Sequence, residues 1–311
     1  KDKTLKQIKT GKTIEELKTK WYEYLIKGDY NIIPELLNIP SFHTTCKYSS
    51  RPSTKITSLI INYDSKKSKQ LKDKDFRKAL TYLLDKNSIR RKILQRKAEL
   101  LNGPFISSDS GYMGDEDSIA PYQYNPKEFK KIMEEKLGYE LQNHPGINKL
   151  IYRKKDTGEW AEFKLLYSTD QKHPASEMAI CNIIIEDFQS AGIYLKHHSK
   201  STKKNFDTAI MNSDFDFLYL VNTVQSGESI EKYYGKNGRK NYGRYKPNEQ
   251  LQNLLDRCDE KCHSADIASS LRPQIYTIIA NDYANLFLWS PESFYAYNTD
   301  YIKVKKKAVL M

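Results

Sequence analysis

Apolar positions along this chain recur at two spacings, and the alternation between them predicts a mixed succession of helices and strands. Thr13 and Glu16 form a capping box ahead of Ile14, Leu17, Trp21, Tyr24 and Leu25, one helical face that ends at Gly28. Residues 38–57 are polar and punctuated by proline. Leu59–Tyr63 is a short apolar run with strand character. Asp73 then caps a helix that places Phe76, Ala79, Leu80, Leu83 and Leu84 on one side. Asp85, with Asn87 and Ser88, caps a second carrying Ile89, Ile93 and Leu94, and Asn102-Gly103-Pro104 breaks the pattern.

Further on, Asn125 is a cap, Pro126 the first helical residue and Glu128 the third; Phe129, Ile132, Met133 and Leu137 form the buried face and Gly138 the stop. Phe163, Leu165 and Tyr167 alternate as in a half-buried strand. A helix after Pro174 buries Ile180, Cys181, Ile184 and Phe188, and Gly192 returns the chain to a strand at Ile193–His197. Strand, helix and strand with short connections predict a βαβ unit. Two helices flank His263, the first with a stripe of Leu251, Leu254, Leu255 and Cys258. A last strand, Leu286–Trp289, is expected to stop at Pro291.

Charge sharpens the picture in one place. The net charge is +12, and residues 1–100 hold 24 Lys and Arg against 11 Asp and Glu, while the remainder holds 27 against 28. A basic first third offers attraction to an anionic surface. Its lysines are scattered over helices and linkers without interleaved stacking aromatics, which favours a solvated face and argues against nucleic acid. A mean hydropathy of −0.73 and the lack of an apolar run near ~18 residues exclude a membrane span in the sequence given.

Little of the chain points to catalysis. Gly11-Lys12-Thr13 has Lys6 where a phosphate loop requires glycine, and Gly235-Lys236-Asn237-Gly238 lacks a strand-to-helix setting and reads as a flexible basic turn. His197 and His198 are neighbours on a strand and therefore face opposite sides. The four cysteines have no metal spacing: Cys258 and Cys262 share a helical stripe as core thiols, and Cys46 and Cys181 are left as a candidate disulfide in an oxidising compartment. No nucleophile–base or paired-carboxylate arrangement emerges, so the chain reads as a non-enzyme without a cofactor.

Several of these segments, in this order, resemble the extracellular solute-binding proteins, family 5, of oligopeptide, dipeptide and nickel ABC transporters. The matching positions are Ile61-Asn62, Asp73, Arg77-Lys78-Ala79-Leu80, Asp85 and Gly103-Pro104. They continue with Tyr124-Asn125-Pro126, Leu137-Gly138-Tyr139, the Phe163–Ile193 unit, Phe215-Asp216-Phe217 and Tyr245-Lys246-Pro247-Asn248. Trp21–Pro34 resembles the family's mid-chain helix, turn and strand, with Asn31 where Asp is usual. Only the C-terminal portion of the family's length is represented, and the amino-terminal lobe, signal and anchor are expected to lie outside this chain.

The resemblance implies an α/β fold of the periplasmic-binding-protein-like type II class, comprising the C-terminal lobe plus a remnant of the first lobe. Residues 1–58 would be part of the first lobe and hinge approach, 59–284 the ligand-binding lobe and 285–311 the return segment. It further implies an oligopeptide bound between lobes, a membrane ABC permease as partner, and a periplasmic or lipid-anchored location outside a bacterial membrane. A surface interaction protein, or a transcription regulator using the fold as a sensor, is the alternative. After the Phe215–Phe217 strand the family often shows Gly-Trp-x-x-Asp, whose Asp pairs with a peptide's amino terminus in the oligopeptide binders. Here Asn222 stands for the Trp and Gln225 for the Asp. An amide does not neutralise an ammonium. Either Glu228 takes over, or the ligand is not an ordinary peptide, or transport is lost. Asn222, Thr223, Gln225 and Glu228, with Asn62 and Asn102, are the candidate ligand contacts.

Overall fold

The computed structural model describes residues 32–36, 46–65, 69–106, 123–170, 175–224, 228–260 and 265–298. The expected helix at 13–28, and the positions Gln225, Cys262 and His263, lie outside the described residues. In chain order the elements begin β1 (Ile32–Leu36), β2 (Cys46–Pro52), β3 (Lys55–Ile61), α1 (Lys69–Lys72), α2 (Lys74–Thr81), α3 (Lys86–Lys92) and β4 (Ala98–Leu100). After α4 (Pro126–Lys131) come β5 (Tyr139–Asn143), β6 (Leu150–Lys154), β7 (Glu162–Ser168), α5 (Ala175–Ser190), β8 (Tyr194–Lys200) and α6 (Lys203–Met211). The series closes with β9 (Phe217–Thr223), α7 (Glu231–Tyr234), α8 (Glu249–Glu260), α9 (Ala265–Asn281) and β10 (Asn285–Asn298).

Two compact units result. One comprises the residues up to Ser53 and those from Glu292; the other is Thr54–Pro291. In the smaller unit β2 runs antiparallel to residues 292–298 of β10, and β1 pairs with the same strand from Phe294 to Tyr297.

The larger unit is built on a sheet in the order β10-β3-β9-β7-β8. Strands β7 and β8 are parallel, as the crossover through α5 requires, and β9 joins β7 in parallel while pairing antiparallel with β3. Helix α5 buries Ile180, Cys181, Ile184 and Phe188, as its spacing predicts. Phe163 meets Phe76 and Phe217 with ring centroids 5.8 and 5.6 Å apart, so α2 and the sheet share one core. Burying each such ring contributes about 1.5–3 kcal/mol.

Local signals explain the helix starts. The Asp73 carboxylate accepts from the amides of Asp75 and Phe76, Asp85 from Ser88, and the Asn125 side chain from Glu128. Arg77 is buried. Its Nε and Nη2 donate to the carbonyls of Asp282 and Tyr283 and to the Asp282 carboxylate, and its Nη1 donates to the carbonyls of Leu71 and Lys72.

Several expectations need correction. Strand β7 is not half-buried: Leu166 is as enclosed as Leu165, because Phe206 and Ala209 of α6 cover the far side of the sheet with Ile60, Leu218 and Phe215. The final strand does not stop at Pro291. Pro291 lies opposite Ala98 at the end of the β4 pairing, and Glu292 next to it begins pairing with β2, so the residue without an N–H sits where the ladder changes partners. The helix opened by Asn125 ends in a π-helical turn over Ile132–Lys136, before Gly138 at φ +69°. Cys181 is a free buried thiol, which removes the candidate disulfide with Cys46; Cys258 is buried in the core.

Candidate functional site

One side of β3 and the loop after β9 enclose a cavity of about 640 Å³, including the solvent at its mouth. Its sheet wall follows from strand geometry: Ile56, Ser58 and Ile60 are two residues apart on β3, and Asn222 pairs with Ile56 across the ladder. The other wall is the segment 228–245, which contributes Glu228, Ile230, Lys240, Asn241 and four tyrosines, Tyr233, Tyr234, Tyr242 and Tyr245. Pro104 and Phe105 complete it.

The 228–245 wall is fixed by its own hydrogen bonds and is not the flexible turn that its glycines suggest. Asn241 donates to the carbonyls of Gly235 and Tyr245 at 3.0 and 2.8 Å and accepts from the Tyr245 amide at 2.9 Å. Gly243 donates no side chain because none fits: a Cβ there would lie 2.2 Å from the Ile61 carbonyl oxygen. The close approach lets the Gly243 carbonyl accept from the Tyr63 amide at 2.8 Å, which fastens the loop to the end of β3. Tyr245 packs edge-on against Tyr63 at 5.4 Å, and burial raises its phenolic pKa well above the ordinary range, so it is neutral.

Lys86 supports the Pro104-Phe105 side. Its buried ammonium donates to the carbonyls of Leu101 and Phe287 at 2.5 and 3.3 Å and to the Asn102 side chain at 3.2 Å. Burial pushes its pKa down to about 7.

The charged centre of the cavity is Glu228, whose side chain is only 8% exposed. Its Oε1 lies 2.7 Å from Lys240 Nζ and 3.7 Å from Lys232 Nζ, and its Oε2 accepts from the Tyr233 hydroxyl at 2.9 Å. That hydroxyl in turn accepts from Lys240 at 2.8 Å. Burial works against the charged form of Lys240, but its bonds to Glu228 and Tyr233 outweigh this and raise its pKa.

The sequence-derived contacts separate in space. Asn222 and Glu228 line the cavity together. Thr223 is exposed at the end of β9, its carbonyl 3.3 Å from the Tyr233 hydroxyl. Asn62 is fully buried away from the cavity wall, where its amide donates to the carbonyls of Ser213 and Phe215 and its oxygen accepts from Asp64, a structural task. Asn102 accepts from Lys86 behind the wall. Lys240, Tyr233 and Tyr242 were not among the sequence candidates; the available signal was the four tyrosines from Tyr233 to Tyr245. Among the described residues no group of three His, Cys, Asp or Glu side chains is placed to hold a metal ion, and no helix is long and apolar enough to cross a membrane.

The family model of the bacterial extracellular solute-binding proteins, family 5 Middle, matches residues 5–243. The chain belongs to this family. No curated protein sequence matches it. Among solved structures, it is similar to the nickel ABC transporter of Bacillus halodurans, at 19% identity and a TM-score of 0.71, over 90% of this chain and 55% of that one. The oligopeptide-binding protein AppA of Bacillus subtilis, in complex with a nonapeptide, superposes at a TM-score of 0.70 with 23% identity, over 91% and 55% of the two chains. NikZ of Campylobacter jejuni, in complex with Ni(L-His), gives 0.65 and 18% over 91% and 55%. The chain thus spans about half the length of these structures. These likenesses establish the α/β fold of solute-binding proteins for this chain.

Proposed function

We propose that this family 5 chain is the ligand-binding part of an ABC importer's substrate-binding component, and that it takes up oligopeptides outside the cytoplasmic membrane and delivers them to a permease without chemical change. The observation that carries this reading is a cavity lined by Asn222, Glu228, Lys240 and four tyrosines in a chain of this family. Its walls join backbone-rich strand and loop segments to amides, tyrosines and one Glu–Lys pair. Such a mixture suits an extended peptide, whose main chain needs donors and acceptors and whose side chains need apolar rings. The structure with a bound nonapeptide among its relatives supports the ligand class. Asn222 and Ser58 are proposed as polar contacts on the sheet side.

Isothermal titration calorimetry with a pool of short peptides, a nickel–histidine complex and an oligosaccharide tests it. The expected result is saturable binding of peptide. Binding of the nickel complex or the sugar, with no heat from any peptide, would overturn the proposal.

A further inference from the structure

We propose that the Glu228–Lys240 cluster receives a carboxylate of the ligand and not an ammonium, with Lys240 as the contact and Glu228 as the positioning residue that holds it. The inference rests on the peptide reading of the cavity and adds the polarity of that end. Glu228 is already matched: Lys240 and Lys232 lie 2.7 and 3.7 Å from its Oε1, and the Tyr233 hydroxyl bonds Oε2 at 2.9 Å. Two ammonium groups around one carboxylate leave a net positive charge, so an incoming ammonium meets repulsion where an incoming carboxylate meets attraction.

Donor capacity points the same way. An ammonium has three hydrogens and no acceptor. Among the described residues, Lys240 gives one to Glu228 and one to the Tyr233 hydroxyl, which leaves one for a ligand. The single Tyr233 hydrogen is taken by Glu228, so Tyr233 serves to orient Lys240. Lys240 and Glu228 both line the cavity, but the Lys240 side chain is still 29% exposed whereas that of Glu228 is 8% exposed. The ligand carboxylate is either the peptide's terminus or an acidic side chain.

The test uses the tightest-binding peptide of the pool, resynthesised with an amidated carboxyl end, with an acetylated amino end, and with any Asp or Glu changed to Asn or Gln. Removing the recognised carboxylate should weaken binding about tenfold or more, because a charge-assisted bond is lost. Acetylation should change affinity less than about twofold. Lys240→Gln should abolish the difference between carboxylate and amide forms; a merely structural lysine would leave that ratio intact. Equal affinity for every carboxylate and amide form would overturn the inference and leave peptide binding standing. Glu228→Gln weakening only the forms with a free amine would overturn it in favour of an amine contact. If no peptide binds the native protein, the inference falls together with the peptide reading.

Discussion

Raising the pH from 7 to 8.5 should stabilise the larger unit, and Lys86 is the reason. In the folded protein burial lowers its pKa to about 7 from the ordinary 10.5. Between those values the unfolded chain binds the proton and the folded one does not. Unfolding then takes up a proton, and stability rises with pH, starting near pH 7 and levelling off near 10.5. The full shift corresponds to about 5 kcal/mol. That is an upper bound, since the carbonyls of Leu101 and Phe287 and the Asn102 side chain favour the ammonium. From pH 7 to 8.5 the gain is about 1.5 kcal/mol. The interval stays below the range where Cys181 and the buried tyrosines, whose pKa values are raised by burial, act with the opposite sign. Urea unfolding at several pH values, for the native protein and Lys86→Met, isolates the contribution because other groups cancel in the difference. Native stability should climb relative to the variant. Parallel curves across the interval would refute the reasoning and mean that the three oxygens keep Lys86 charged.

Arg77→Met should cost about 3–5 kcal/mol in urea unfolding, because it strands buried carbonyls and breaks an enclosed ion pair. The value should fall in the lower half of that range, since Asp282 is 32% exposed and gains water. Arg77→Lys should lose part of this, having one donor group where the fork has three; a loss below about 1 kcal/mol for the Met variant would contradict the clamp. Gly243→Ala should cost about 1–3 kcal/mol by overpacking and should also weaken peptide binding, since the displaced loop carries Asn241, Tyr242 and Tyr245 into the cavity. Unchanged thermal melting and unchanged calorimetry for this variant would show that the loop relaxes freely.

Much of the larger unit was legible because its signals are local. Asp73, Asp85 and Asn125 announce helix starts from side chains that bond amides two or three residues away. The βαβ unit follows from periodicity around α5. What escaped depends on partners distant in sequence. The two-sided burial of β7 is set by α6, which buries only Phe206 and Ala209 and so has too short a stripe to read. The passage of β10 through Pro291 depends on a change of neighbours that no single segment encodes.

The candidate site divides in the same way. The loop after β9 was read as ligand-bearing from the resemblance to the family, and Asn222 and Glu228 do line the cavity. The charge balance was not readable there, because Lys240 comes from a loop 12 residues further on, held against Glu228 by Asn241 and Gly243. Asn62 looked available as a polar residue after an apolar strand. Its amide is consumed by the backbone at Ser213 and Phe215, more than 150 positions away.

Hydrogen exchange of the protein with and without saturating peptide tests the central claim most directly, because it reports where the ligand sits. The account predicts slower exchange in 55–61 and 228–245, the segments that wall the cavity, with little change in the hairpin of β5 and β6. Protection confined to other segments, or none at saturation, would contradict the assignment of this cavity as the binding site.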